Sequence, residues 1–282
     1  FCVRTKNELP SLKKVFMAGA LVPQEVISRV RSIAPHGEVF TPYGATEALP
    51  VTYISGSDVL GTEPLPACGG EVGTLVGKSV AGVEVKIVRR AETMHGMDVE
   101  NGELPPFEIG EVLVRGENVS PEYLFGQDAT KKAKVETDGG FWHRMGDMGY
   151  LDAEGRLYFC GRKAHLVEVG ERVYFSVPTE RIFNQHPKVR RSALIRLAGK
   201  TLRAAIVIEP YPKHWPESAE AKREFAIELR RLGSGNAVTE KITEIFFHPS
   251  FPVDARHNAK IFRDELASWA QIEASKTNGG PW

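Results

Sequence analysis

The sequence predicts a mixed α/β chain in two parts: an α/β segment with a β-barrel-like subdomain over residues 1–160, and a small α+β domain over residues 161–282. Three observations predict it. Residues 1–60 alternate strand, helix and strand; residues 61–160 hold short alternating strands punctuated by glycine; residues 161–282 interleave short strands with helical patterns.

Taken in order, Val15-Phe16-Met17-Ala18 is a short apolar strand ending at Gly19. After Pro23, the apolar Val26, Ile27, Val30 and Ile33 recur at helical spacing until Pro35 stops the run. Glu38-Val39-Phe40-Thr41 is a second strand, followed by the turn-prone Pro42-Tyr43-Gly44. That order suggests a parallel sheet with ligand contacts at its loops. Val83, Val85 and Ile87 alternate with Glu84 and Lys86 as in a half-buried strand, and residues 110–116 and 157–160 read the same way. The polar segment 90–106, with its Pro105-Pro106 end, reads as a loop. The boundary falls near Gly161-Arg162. Beyond it, residues 193–197 and 204–208 flank Gly199-Lys200 as a hairpin, and residues 219–232 form a helix with Phe225, Leu229 and Leu232 on one side. Residues 242–247 are a strand and residues 261–270 the last helix. The Asn278-Gly279-Gly280-Pro281 end is expected to fray.

Composition narrows the function classes. The chain has 282 residues, 42% hydrophobic and 26% charged, as expected of a globular protein. Lys+Arg and Asp+Glu both number 36, which argues against a broad basic face for nucleic acid or a polybasic membrane anchor. No apolar run reaches the ~18 residues of a membrane span. Cys2, Cys68 and Cys160 are far apart and form no C-x-x-C, so they read as unpaired thiols in a reducing cytoplasm. No H-x-x-x-H pair occurs, so a zinc site is not expected. The start, Phe1-Cys2-Val3-Arg4, lacks an initiator Met and a signal-peptide pattern, and reads as the interior of a longer chain.

Three segments carry the chemistry. The first, Tyr43-Gly44-Ala45-Thr46-Glu47, resembles the Y-G-x-T-E motif of the adenylate-forming enzymes, although alone it also fits a polar turn after a strand. The second is Met145-Gly146-Asp147-Met148-Gly149-Tyr150-Leu151-Asp152, continuing through Gly155-Arg156-Leu157 to Gly161-Arg162. It resembles the T-G-D…G-R stretch of the same family, with Met145 in place of the usual Thr or Ser. The third, Pro252-Val253-Asp254-Ala255-Arg256-His257-Asn258-Ala259-Lys260-Ile261, stands where the family carries P-x-x-x-x-G-K, with Ala259 in place of Gly. Ala18-Gly19-Ala20, Gly110-Glu111-Val112 and Gly170-Glu171-Arg172-Val173 are weaker matches to the adenine strip, a structural strand and the lid loop.

The resemblance implies a C-terminal half of an adenylate-forming enzyme: a remnant of the large adenylation domain to residue 160, then a lid domain. It implies ATP/AMP and Mg²⁺ as cofactors. Gly19 and Ala20 would lie along the adenine, Tyr43 would stack on it, and Gly44 would let backbone approach the nucleotide. Thr46 would donate to the α-phosphate and Glu47 would hold Mg²⁺, a hard ion that takes oxygen ligands beside phosphate. Asp147 would accept from the ribose hydroxyls, with Arg162 near ribose and phosphate. Lys260 would bridge the attacking carboxylate and the phosphate as negative charge builds, a role for a mobile, charged donor. The phosphate loop and most of the acyl pocket would lie in a missing N-terminal half.

Within the family, the residues Tyr43 to Val51 taken with His257 to Ile261 resemble the β-lactone synthetases of bacterial long-chain olefin biosynthesis. Those enzymes imply a long-chain 3-hydroxy fatty acid, activated as acyl-AMP with pyrophosphate release and closed by its own hydroxyl to a β-lactone and AMP. They also imply company from other pathway enzymes. The nucleophile is tethered, so no thiol need enter. Ala164, where thioester-forming members carry a polar hinge residue, agrees with that reading. The alternatives are a long-chain acyl-CoA or acyl-ACP ligase and a non-catalytic nucleotide-binding module.

Overall fold

A computed structural model describes residues 8–199, 201–254 and 260–276. The predicted fraying end, the Phe1-Cys2-Val3-Arg4 start, Lys200 of the expected hairpin turn and Ala255-Arg256-His257-Asn258-Ala259 of the third motif lie outside them. The chain divides into two compact units, Phe1–Cys68 with Gly73–Cys160, and Gly69–Val72 with Gly161–Trp282.

The first unit is built on a nine-stranded sheet that runs from edge to edge through Lys14–Phe16, Glu38–Ala45, Ala48–Ser55, Thr74–Ser79, Leu157–Arg162, Gly140–Leu151, Gly110–Gly116 and Val83–Val88, with Lys134–Thr137 pairing to Gly140–Leu151. β1 (Lys14–Phe16) and β2 (Glu38–Ala45) run parallel, joined by helix α1 (Gln24–Ile33). Glu25 in its first turn and Arg31 in its last complement the helix dipole, and Ile27 is fully buried. The expected parallel sheet goes no further. β2 continues through Pro42-Tyr43-Gly44 and turns back at Thr46-Glu47 into antiparallel β3 (Ala48–Ser55), so the anticipated turn is strand and the hairpin tip lies two residues later. Helix α2 (Gly56–Gly61) follows, opened by Ser55, whose hydroxyl accepts from Asp58 N.

β4 (Thr74–Ser79), β5 (Val83–Val88), β6 (Gly110–Gly116), β7 (Lys134–Thr137), β8 (Gly140–Leu151) and β9 (Leu157–Arg162) extend the sheet antiparallel. The barrel-like expectation is corrected: the order has two separate ends, β1 and β5, and the strands do not close. Short Gly-punctuated strands are equally compatible with an open sheet, because closure depends on stagger between strands that composition does not encode. Val83, Ile87, Val112, Val114, Met145 and Leu157 form the apolar core of this region. The segment 90–106, read as a loop, holds helix α3 (Gly96–Asn101), capped by His95 and Asp98, whose Val99 is fully buried. Helix α4 (Gln127–Ala133) precedes β7.

In the second unit the hairpin β10 (Val167–Val169) and β11 (Arg172–Tyr174) turns at Gly170, whose φ of 60° suits glycine. β12 (Val189–Leu197) and β13 (Arg203–Pro210) are antiparallel as the sequence suggests, and β14 (Glu244–Phe247) joins β13 in parallel after helix α6 (Ala219–Ser234). Alternate residues of these strands face opposite cores. Leu194, Ile206, Ile208, Ile245 and Phe247 pack with Phe225 and Leu229 of α6 and with Phe183 of helix α5 (Ser176–Phe183). Ala193, Ile195, Ala205, Val207 and Phe246 pack with Leu266 and Ala270 of helix α7 (Arg263–Lys276). Both faces are covered, which explains why these strands read as continuous apolar runs.

Candidate functional site

In the first unit, a bulge sets up the site. On β6, Glu111 pairs with Met148 and Leu113 with Arg144, so Met145, Gly146 and Asp147 of β8 stand opposite Val112 alone. Gly146 takes φ 67°, a conformation few other residues adopt. Met145, the departure from the family's Thr or Ser, is 4% exposed and packs into the core with Val112 and Leu157. Asp147 is 2% exposed, and its Oδ2 accepts a 2.6 Å hydrogen bond from the Tyr43 hydroxyl, 104 residues away in sequence. The first two motifs thus meet directly. The Tyr43 ring lies 5.9 Å from that of Phe159 on β9, tilted by 47°.

Gly44 answers to its own hairpin. A Cβ there would stand 2.4 Å from the Ala48 carbonyl oxygen and 2.9 Å from Leu49 Cδ1. Beyond the tip, the Glu47 carbonyl accepts from Ser120 N at 2.8 Å, and Glu47 Oε1 accepts from the Tyr123 hydroxyl at 2.8 Å. Tyr123 is held in turn by Thr130, whose hydroxyl accepts from Tyr123 N and donates to the Gly126 carbonyl. Lys134, 7% exposed, and His143, 2% exposed, lie close enough to act on Glu47.

Burial works to raise the Glu47 pKa, but the Tyr123 hydrogen bond, with help from its own backbone and from His143 and Lys134, holds the carboxyl below its usual range. The Tyr123 hydroxyl is correspondingly pushed up to about 12 by burial and by Glu47. Burial lowers the Lys134 pKa against the pull of Glu47. Burial and the Lys134 charge lower His143 to about 4, so it is neutral at physiological pH.

Thr46 is exposed at the hairpin tip, and Gly19 and Ala20 lie in an exposed bend after β1, with φ 97° at Gly19. None of the three joins the hydrogen-bonded set around Tyr43 and Glu47. The C-terminal part of the second motif is structural: Asp152 accepts from the backbone N–H of Glu154 and Arg156 and from Arg156 Nε at 2.6 Å, closing the β8–β9 turn.

In the second unit, Arg162 ends β9, exposed, and a short 3₁₀ turn, Lys163–His165, follows with Ala164 exposed. Burial, then the positive charges of Arg263, Arg162 and Lys260, lower the His165 pKa to about 4, with Asp264 opposing. Arg162 and Lys260 therefore share one cationic neighbourhood around a neutral imidazole. Lys260 is exposed, and its carbonyl accepts from Asp254 N at 3.0 Å.

Tyr123, Lys134, His143 and His165 escaped the sequence reading. Tyr123 sits in the polar run Ser120-Pro121-Glu122, and Lys134 follows Lys131-Lys132 like part of a solvated face.

Residues 2–124 match the AMP-binding enzyme family. Over 277 residues, 93% of this chain, the sequence is 38% identical to an olefin β-lactone synthetase of Xanthomonas campestris. Residues 2–124 thus carry the pattern of AMP-binding enzymes, and the likeness to a β-lactone synthetase runs along most of the chain. A second olefin β-lactone synthetase, from Stenotrophomonas maltophilia, is 35% identical over 95% of this chain. The chain spans about half the length of these two relatives, 48% and 49%. A 4-coumarate–CoA ligase 1 of Glycine max is 28% identical over 96% of this chain and 84% of its own length. The same fold recurs in the amide bond synthetase of Marinactinospora thermotolerans, with TM-score 0.70, 22% identity and coverage of 92% of this chain and 47% of that one. It recurs in the O-succinylbenzoate coenzyme A synthetase of Bacillus subtilis, with TM-score 0.68, 24% identity and coverage of 94% and 48%.

The residues fit the groups that such enzymes use. Among the described residues no group of three or more His, Cys, Asp and Glu could hold a metal. Mg²⁺ is commonly held by one or two carboxylates plus phosphate oxygens and water, and Glu47, its pKa held below the usual range, is a carboxylate of the kind that would suit it. A buried carboxylate already holding a hydroxyl, as Asp147 does, suits a sugar diol. Among the described residues no helix is long and apolar enough to cross a membrane.

Proposed function

We propose that this chain takes part in ATP-dependent activation of a 3-hydroxy fatty acid as acyl-AMP, releasing pyrophosphate, followed by ring closure to a β-lactone and AMP. The single observation that carries the reading is the 38% identity to an olefin β-lactone synthetase along 93% of the chain. The Tyr43–Asp147 hydrogen bond supports it, because it joins the two motifs expected to face one nucleoside.

In this reading Asp147 takes the ribose hydroxyls, with Tyr43 orienting it, and Gly19 and Ala20 border the adenine beside Tyr43 and Gly44. Glu47 would hold Mg²⁺, and the ion when bound would offset phosphate charge. Thr46 donates to the α-phosphate and Arg162 attends ribose and phosphate. Lys260 stabilises the charge that develops as the carboxylate displaces pyrophosphate. The substrate hydroxyl then attacks the acyl carbon, its proton leaves, and AMP departs. Residues to 160 act as adenylation domain and residues 161–282 as lid. A cytoplasmic location and a complex with other olefin-pathway enzymes belong to the same proposal.

The coverage of the 4-coumarate–CoA ligase favours a second reading, acyl-CoA ligation. Incubating the whole protein with a 3-hydroxy fatty acid, ATP and Mg²⁺ but no thiol separates the two. A β-lactone supports the first reading; strict dependence on coenzyme A, with a thioester product, overturns it.

A further inference from the structure

The third motif hangs from a buried charge that no motif contains. Glu209, near the end of β13, is fully buried. Its Oε1 accepts from Arg190 Nη1 at 2.6 Å. Its Oε2 accepts from Arg191 Nε at 2.7 Å and from the backbone N–H of Phe251 at 2.6 Å. The Phe251 ring is 3% exposed, with the Arg191 guanidinium 5.2 Å above it and the His248 ring edge-on at 6.1 Å. His248 is itself tied to β13 by a bond from its N–H to the Ile208 carbonyl, and packs edge-on against Trp269 of α7.

From Phe251 the chain enters a short ribbon. Val253 pairs antiparallel with Ile261; Phe262 N donates to the Pro252 carbonyl and Asp254 N to the Lys260 carbonyl, both at 3.0 Å. A path of one side-chain contact, a short stretch of chain and backbone hydrogen bonds therefore links the Glu209 carboxylate to the peptide unit that carries Lys260. A buried carboxylate left short of donors is costly. Glu209 with its three N–H donors consequently has one favourable arrangement, and that arrangement fixes where the ribbon begins.

We infer that Glu209 is a positioning residue for Lys260, acting through the Phe251 amide and the ribbon closed by Asp254 and Lys260. The inference rests on the catalytic role proposed for Lys260. An error of about 1 Å in a reacting group can cost a hundredfold in rate, so a loosened ribbon acts on turnover and spares nucleotide binding.

The test is Glu209→Gln in the whole protein, alone and combined with Lys260→Ala, read by pyrophosphate exchange and by amide hydrogen exchange. Glu209→Gln is expected to slow pyrophosphate exchange about tenfold, leave KM for ATP within about twofold, and speed amide exchange over residues 251–262 while β1–β9 keep theirs. In the Lys260→Ala background it should add less than about twofold, since the group it positions is gone. Unchanged amide exchange over 251–262, or rate losses that multiply in the double variant, overturns the inference. A wild-type rate in Lys260→Ala alone instead overturns the reading of Lys260, and the amide exchange still decides the anchoring. Should Glu209→Gln fail to fold, Arg191→Lys, which keeps the charge but loses the planar group over Phe251, is judged by the same outcomes.

Discussion

Tyr43→Phe removes one hydroxyl and tests the contact on which the first-unit site turns. The ring, its packing beside Phe159 and its half-buried position are retained; the donor to Asp147 Oδ2 is lost. At 2.6 Å the bond lies in the short range of O–H···O⁻ contacts, and Asp147 is 2% exposed, so bulk water cannot replace the donor. A hydrogen bond to a charged group is worth ~1.5–3 kcal/mol, which corresponds to roughly 10- to 150-fold in the folding equilibrium. With a urea dependence of about 2 kcal/mol per molar, the midpoint for the first unit should fall by about 1 M. Urea titration followed by a probe in that unit reads it directly. Tyr53→Phe is the control, because Tyr53 is 53% exposed and its hydroxyl should matter by less than about 0.5 kcal/mol. AMP affinity, measured by calorimetry, should fall several-fold in Tyr43→Phe as the carboxylate loses its orientation. A midpoint that moves no more than in the control would refute the reasoning.

Lys260→Ala should lower pyrophosphate exchange by about a hundredfold, as for a lost transition-state charge, with AMP affinity nearly unchanged; an undiminished rate contradicts the assignment. Asp147→Ala should weaken nucleotide binding, which equilibrium titration with AMP reads. His165 should titrate near 4 by NMR, against a usual value of 6.5. Between those pH values the unfolded chain binds the proton and the folded one does not, so this histidine's contribution to stability is lost as pH falls from 6.5 towards 4; a midpoint near 6.5 rules the burial argument out. Glu180→Ala should cost the second unit ~3–5 kcal/mol, because Arg263 bonds both Glu180 oxygens, at 2.5 and 3.0 Å, and is left charged in a largely buried position.

The second unit was the more legible in sequence. Its strands carry apolar side chains on both faces and α6 shows clean helical spacing with a Ser218 cap, so local pattern and tertiary packing agree. In the first unit, Pro42 and Gly44 suggested a turn where the chain stays extended, because pairing with β3 overrides their local preference. The residues of the three motifs were visible as types in a fixed order. Their supports were not: Tyr123, Lys134 and His143 reach Glu47, and Glu209 reaches Phe251, only through folding, and each looks in sequence like an ordinary surface or strand residue.

The surplus in β8 has a consequence for variation along that strand. Three residues there face one on β6, an excess that is even, so side chains before and after it keep the same in–out parity. A single insertion or deletion between Gly140 and Leu151 would invert one half of the strand relative to the other and turn core residues such as Trp142 or Tyr150 outward. Length change in this stretch should therefore be accepted in steps of two or not at all, making strand parity a stricter constraint here than residue identity.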